Sequence, residues 1–320
     1  MRKLSLMFAA TLLALPTTAQ DLRRALSTAD AVVVGRQVGK KAFDEALTLH
    51  KVQVVSEVRG ADGATAVTVL DWPKLSLHNR PQPRQSRLYC LEDASALAER
   101  LGLPSGDGPF YKMVGYQGSN PLVGQDLDRD PGVRLARVLA AAEAGAAPTD
   151  TASALLAMAL EPASEARTEA VRYLTERGDL RARLVSAQWN QLLARTGGEV
   201  EDVAYKIALA ELCGEQRLTG LLDALAVSLG PITDPEYARC VGRIGKVLHG
   251  EQATAMLQQR LAIAGQRQDR EMLLLAIGAT NTKSALDALL QMDRRDIAVE
   301  AALKEHRSRE AKEAVGRRRD

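Results

Sequence analysis

The chain has 320 residues, a formal net charge of +2, 26% charged residues and only 3% aromatic residues. That length is ample for a hydrophobic core and favours two domains. Arg2 and Lys3 account for the charge excess, so the remainder is near neutral and lacks the basic surplus of a nucleic-acid binder.

In chain order, Arg2 and Lys3 precede an apolar run from Leu4 to Leu15, broken only by Ser5 and Thr11. The run is too short to span a bilayer as a helix. Pro16 and the small residues Thr17, Thr18 and Ala19 follow, the pattern of a bacterial secretory signal with cleavage after Ala19 or Gln20. No cysteine follows the run, so no lipid anchor is expected, and no later segment is long and apolar enough to span a membrane.

The segment before residue 125 is rich in Val, aromatic and turn residues, and the segment after it in Ala and Leu. That shift predicts a β-rich domain followed by a helical one. Strands are expected at Ala31–Gly35, Leu47–Val58, Ala66–Leu70, Arg87–Leu91 and Phe110–Tyr116. Within the second, Leu47 and Leu49 share one phase and Val52 and Val54 the other, which suggests a bulge. "RGADG" at Arg59–Gly63 reads as a turn, and "HNRPQP" at His78–Pro83 as a loop. Asp93 is placed to cap a short helix carrying Leu97 and Leu101 and ended by Gly102. Five coiled strands in this span suit a small closed barrel, because closure removes exposed edges.

The phrases "ADAVVVGR" (Ala29–Arg36), "VQVVSEVRG" (Val52–Gly60) and "PQPRQSRLYCLED" (Pro81–Asp93) resemble bacterial exported domains of the netrin/TIMP-like OB type. The resemblance covers about residues 29–123. Gln85 stands near where that family often carries Gly, and the short helix falls between the fourth and fifth strands, outside its usual position. Metalloprotease inhibitors of the superfamily use an amino-terminal Cys. No Cys stands near residue 20, so that mechanism is not implied.

Gly118–Gly132 reads as a polar linker, Val133–Ala144 as a helix, and "GAAPTD" (Gly145–Asp150) as a break. Apolar stripes at helical spacing then fill Ser164–Arg177, Leu180–Ala194, Val200–Leu212, Leu218–Leu229, Tyr237–Leu248, Ala253–Ala264 and Glu271–Ala279. Gly178, Gly214 and Gly250 stand 36 residues apart twice over, in "RGDL", "CGEQ" and "HGEQ". A period in the thirties with two helices per period is the mark of an α-solenoid. "AIGATNTKSALDALL" (Ala276–Leu290) resembles the turn and second helix of a HEAT-type repeat. In this register Glu215 and Glu251 sit at helix starts, where the dipole favours acids. Cys213 then matches His249 in height. Cys240 lies about 13 Å lower along its helix at 1.5 Å per residue, beyond the roughly 7 Å a disulfide allows. The charged end "KEHRSREAKEAVGRRRD" has no sustained apolar stripe and is expected to fray.

Candidate chemistry is sparse. Asp126, Asp128 and Asp130 open like a calcium loop, but Pro131 and Arg137 stand where Gly and an acid are needed. Asp130 followed by Pro131 reads instead as a helix cap. His50, His78, His249 and His306 show no ligand-pair spacing, and no nucleophile, phosphate or dinucleotide motif occurs. Arg239, Arg243 and Lys246 form a basic stripe, either a solvated face or a groove for an acidic peptide. Trp72, Tyr111 and Tyr116 are either barrel core or a stacking platform.

The expectation is an α+β multidomain chain. It comprises a signal peptide (1–20), an OB-like β-barrel (21–124), a linker with one helix (125–149), an α-solenoid of HEAT-like helix pairs (150–303) and a charged tail (304–320). The expected role is an exported, non-enzymatic binding or scaffold protein with a protein partner in the cell envelope. Alternatives are a ligand-binding or inhibitory barrel, or an envelope hydrolase. No cofactor and no nucleic acid are expected.

Overall fold

The computed structural model describes residues 18–73, 81, 83–104, 108–114, 121–197, 202–293 and 295–316. The predicted signal run, His78 and Tyr116 fall outside these.

Helix α1 (Thr18–Thr28) opens the fold. It buries Leu22, Ala25, Leu26 and Ala29, one face at offsets of 3, 4 and 7. Strands β1 (Ala31–Ala42), β2 (Thr48–Arg59), β3 (Ala66–Asp71), β4 (Ser86–Asp93) and β5 (Phe110–Met113) follow, with the short helix α2 (Ser95–Arg100) between the last two. They close into a barrel in the order β1-β2-β3-β5-β4. Only the β3–β5 pairing is parallel.

Alternation along each strand sends neighbours to opposite faces. Val33, Val52, Val67, Val69, Tyr89, Leu91 and Tyr111 cluster inside the barrel. Val32, Val34, Leu88 and Cys90 face outward and join the core of the helical part. Full burial of one such valine or leucine stabilises by about 1.5–3 kcal/mol. The expected bulge is displaced. Leu49 and Val52 follow regular alternation because both faces of β2 are covered there, Leu49 by the cluster of Leu47, Leu70 and Phe110. The register shifts fall opposite Val38, Val55 and Val58 instead, and these bend and coil the long β1–β2 pair. Gly35 is needed inside the barrel, since a Cβ there would lie 2.5 Å from a Val52 methyl. At α2 the cap is Ala94. Asp93 instead receives the Ser95 N–H and O–H at 2.9 and 2.6 Å.

Asp130 caps α3 (Pro131–Glu143) through the Val133 N–H. This segment is no spacer: Val133, Leu135, Ala136 and Leu139 are buried in the same core as α1, β1 and β4. Then come α4 (Pro148–Ala159), α5 (Glu165–Glu176), α6 (Gly178–Arg181), α7 (Ser186–Thr196), α8 (Val203–Glu215), α9 (Leu221–Val227), α10 (Pro235–His249), α11 (Gln252–Ile263), α12 (Arg267–Thr280), α13 (Lys283–Gln291), α14 (Ile297–Glu305) and α15 (Arg309–Gly316). Helices α5, α8, α10, α12 and α14 pack side by side in that order, and α7, α9, α11, α13 and α15 form a second row. The predicted loose tail is helical to Gly316 and buries Ala311.

The glycines 36 residues apart are not equivalent. Gly178 is the first residue of α6, Gly214 lies inside the last turn of α8, and Gly250 follows α10 with φ +57°. The helix starts give a different spacing: α8, α10 and α12 begin at 203, 235 and 267, each 32 residues after the one before. Asp202 and Asp234 cap the first two. Tyr205 and Tyr237, three residues on, are buried and donate to the Ala159 and Leu225 carbonyls.

Candidate functional site

Cross-strand register assembles a groove on the outer face of the barrel. Gly39 pairs with Lys51, Lys51 with Thr68, and Thr68 with Phe110, so these four share one row. Lys41 pairs with Leu49 one pleat along. The β1–β2 hairpin brings Phe43 over the row. Its turn is held by the Phe43 N–H to the Leu47 carbonyl and by the Asp44 carboxylate, which accepts from Ala46 and Leu47 N–H groups at 2.7 Å. Pro104, in the loop before β5, closes one side. The result is a concavity of about 300 Å³ lined by Gly39, Lys40, Lys41, Phe43, Leu49, Lys51, Thr68, Pro104 and Phe110. Phe43 is 40% exposed. Lys40 and Lys41 have no ion-pair partner among the described residues.

The groove lies at the opposite end of the β1–β2 hairpin from the helical part. At the helical end, Arg59 of β2 donates to the Leu26 and Ala29 carbonyls at the end of α1 and pairs with Glu143 of α3.

The residues expected to bind a partner are placed as follows. Tyr111 points into the barrel, 7% exposed, and donates to the Gly60 carbonyl at 3.1 Å. Burial, with Asp93, Asp62, Glu57 and Asp30 nearby, pushes its phenol above the ordinary range and keeps it a neutral donor. Trp72 is half-buried against Leu47, Leu70 and Phe110. Tyr116 lies outside the described residues. Arg239 is held between Glu236 and Glu305, each at 2.6 Å, and Lys246 donates to the Asn281 carbonyl. Arg243 opens into a second groove, about 290 Å³, between α8 and α10, where Glu211 and Glu215 face Arg217 and Arg243. The stripe is therefore not a run of unengaged positive charge. A third concavity, between α1 and α5, is lined by Arg23, Arg24, Ser27, Tyr173 and Glu176.

Polar clusters elsewhere are spent on structure. Asp126 accepts the Asp128 N–H, Asp128 binds Arg137, and Asp130 caps α3. His50 and Asp71 meet at 3.2 Å inside the barrel, with side chains 4% and 3% exposed. Among the described residues, no three His, Cys, Asp or Glu side chains stand together as metal ligands. Arg177 and Asp179 close on each other in a two-pronged pair at 2.8 and 2.7 Å.

The barrel groove escaped sequence reasoning. Its lysines and phenylalanines are scattered over residues 40–110, and only the strand register brings them together. The visible signal was "GKKAF" (Gly39–Phe43), basic and aromatic residues beyond a buried strand run.

Fold and site together define an α+β protein, a closed five-stranded barrel with an open ligand-sized groove joined to a large helical region. No protein-family model matches the chain, and no curated protein or solved structure matches it.

Proposed function

We propose that the protein is an exported, non-enzymatic binding protein whose barrel is an OB-type module and whose helical rows are a HEAT-like stack of helix pairs. One observation carries the binding role: a formed concavity stands on β2, β3 and the loops at their ends. In OB barrels that face takes ligands. The strand order with β3 parallel to β5 supports the OB reading, and α2 between β4 and β5 leaves that order intact. The side-by-side rows and the 32-residue spacing of α8, α10 and α12 support the stack. Export rests on the basic start, short apolar run and small residues of positions 2–19. With it comes the expectation of a partner or ligand in the cell envelope. His50 and Asp71, residue types that catalysis often pairs, are shut inside the barrel, which favours binding over chemistry.

A second reading gives the binding role to the helical rows. Val227 and Ile263 end α9 and α11 in the second row, 53% and 74% exposed, and aliphatic side chains repeated on one edge offer a partner apolar contact.

A photo-crosslinking residue placed at Phe43 or at Ile263 of the full chain, in its native envelope, separates the two. Adducts from position 43 support the barrel site. Adducts from position 263 alone move the role to the helical rows, and none from either position removes the binding role.

A further inference from the structure

We infer that the barrel groove takes an amphipathic anion: an apolar body of acyl or small aromatic size carrying one acidic group. The inference rests on the groove being the ligand site and names what fills it. The floor is apolar, made by Phe43, Leu49, Pro104 and Phe110, and the rim is Lys40, Lys41 and Lys51. Three ammonium groups around one concavity repel each other while it is empty, and like charges on neighbouring strands are destabilising. An anion reverses that sign. The nearest acid on the same hairpin, Asp44, has its carboxylate engaged by two backbone N–H groups, so it is not placed to neutralise the rim. An apolar cation would meet the opposite field, and a small inorganic anion would leave the two rings uncovered. The volume, about 300 Å³, is at the low end for enclosing a small organic ligand. The natural acid can be free or a lipid bearing the same head chemistry.

The test uses the full chain and 8-anilinonaphthalene-1-sulfonate fluorescence, with decanoate, decyltrimethylammonium and acetate as competitors. Saturable one-to-one binding is expected, displaced by decanoate and not by the other two. Lys41→Gln with Lys51→Gln should weaken it by roughly tenfold or more and raise its sensitivity to salt no further. The unfolding midpoint of that variant should be unchanged or higher, because repulsion is relieved. Phe43→Ala should weaken binding while leaving the midpoint within a few degrees. Flotation with phosphatidylglycerol vesicles separates the sources: a lysine-dependent float assigns a lipid, and its absence alongside decanoate binding assigns a free acid. Equal displacement by the cation, indifference to the lysines, or no saturable binding overturns the inference. If these fail while crosslinks from position 43 persist, the ligand class is wrong and the site stands. If both fail, the site falls too.

Discussion

Arg59 and Gly60 stand side by side at the end of β2 and do different work. Arg59 satisfies carbonyls that α1 leaves open at its C-terminus. Gly60, at φ +70°, passes so close to Asp30 that a Cβ would lie 2.1 Å from its carbonyl oxygen. Asp30 in turn accepts the Asp93 N–H at 2.8 Å. The short phrases that resembled an exported domain are thus joints of the barrel. Glu251 shows the same economy in the helical part. It sits before α11, yet its carboxylate accepts the Lys283 and Ser284 N–H groups at the start of α13. Glu215 is the last residue of α8 and faces Arg181, so the twin "GEQ" phrases have unlike roles. Hydrogen bonds from the Ser284 backbone and hydroxyl hold the Glu251 carboxyl below the usual glutamate range. A depressed folded pKa contributes stability above the unfolded pKa that is lost as pH falls through the folded value. Glu251→Gln is therefore expected to lower stability at pH 7, with the deficit shrinking as acid titrates the wild type. Parallel urea titrations at pH 7 and pH 3 check this. Cys90, Cys213 and Cys240 are free and buried, and burial pushes each thiol up to about 12. An aromatic disulfide reagent at pH 8 should label essentially none in the native chain and all three after unfolding without reductant.

At the scale of elements, the first helical row depends on close backbone approach. A Cβ on Gly242 of α10 would lie 2.2 Å from the Ala276 carbonyl oxygen of α12, and one on Gly278 of α12 would lie 2.2 Å from the Ala302 carbonyl oxygen of α14. Alanine is the better helix former by about 1 kcal/mol, whereas forcing extra volume into a packed contact costs about 1–3 kcal/mol. Gly278→Ala is expected to destabilise by about 1–2 kcal/mol net, measured by denaturant midpoint at constant m. A stabilised variant would show that the helices do not approach so closely. The helices themselves were legible from their apolar stripes, but the repeat register was not. Glycine at 36-residue intervals was conspicuous, yet helix caps set the register. The signal was Asp202 and Tyr205 repeated as Asp234 and Tyr237. Helix α1 was overlooked for a similar reason, its stripe of Leu22, Ala25, Leu26 and Ala29 lying directly against the predicted cleavage site.

At the scale of the whole molecule, the barrel and the helices share one core. Leu22 and Leu26 of α1, Val34 of β1, Leu88 of β4 and Leu135 of α3 belong to a single buried cluster with the helical rows. Separate halves would each expose part of it, so the chain should unfold cooperatively. Leu26 is 3% exposed, and Leu26→Ala is expected to cost about 2–5 kcal/mol. The two tryptophans allow a direct reading, Trp72 in the barrel and Trp189 on α7. Single-tryptophan versions carrying Leu26→Ala should show both reporters shifting to the same lower midpoint. Separate midpoints would mean that the common core does not couple the two parts.

The amino-acid sequence by itself determined the kinds of element and their order: five strands before residue 125, then helices, because alternation and helical periodicity are local consequences of which face is buried. It also settled that Asp130 caps a helix and that the cysteines are small apolar core groups. Tertiary structure alone decided what depends on distant residues meeting. The 32-residue register of the helix pairs, the Arg59 joint and the lysine-rimmed groove are set by cross-strand register and helix-to-helix approach, and neither is written in any local stretch of chain.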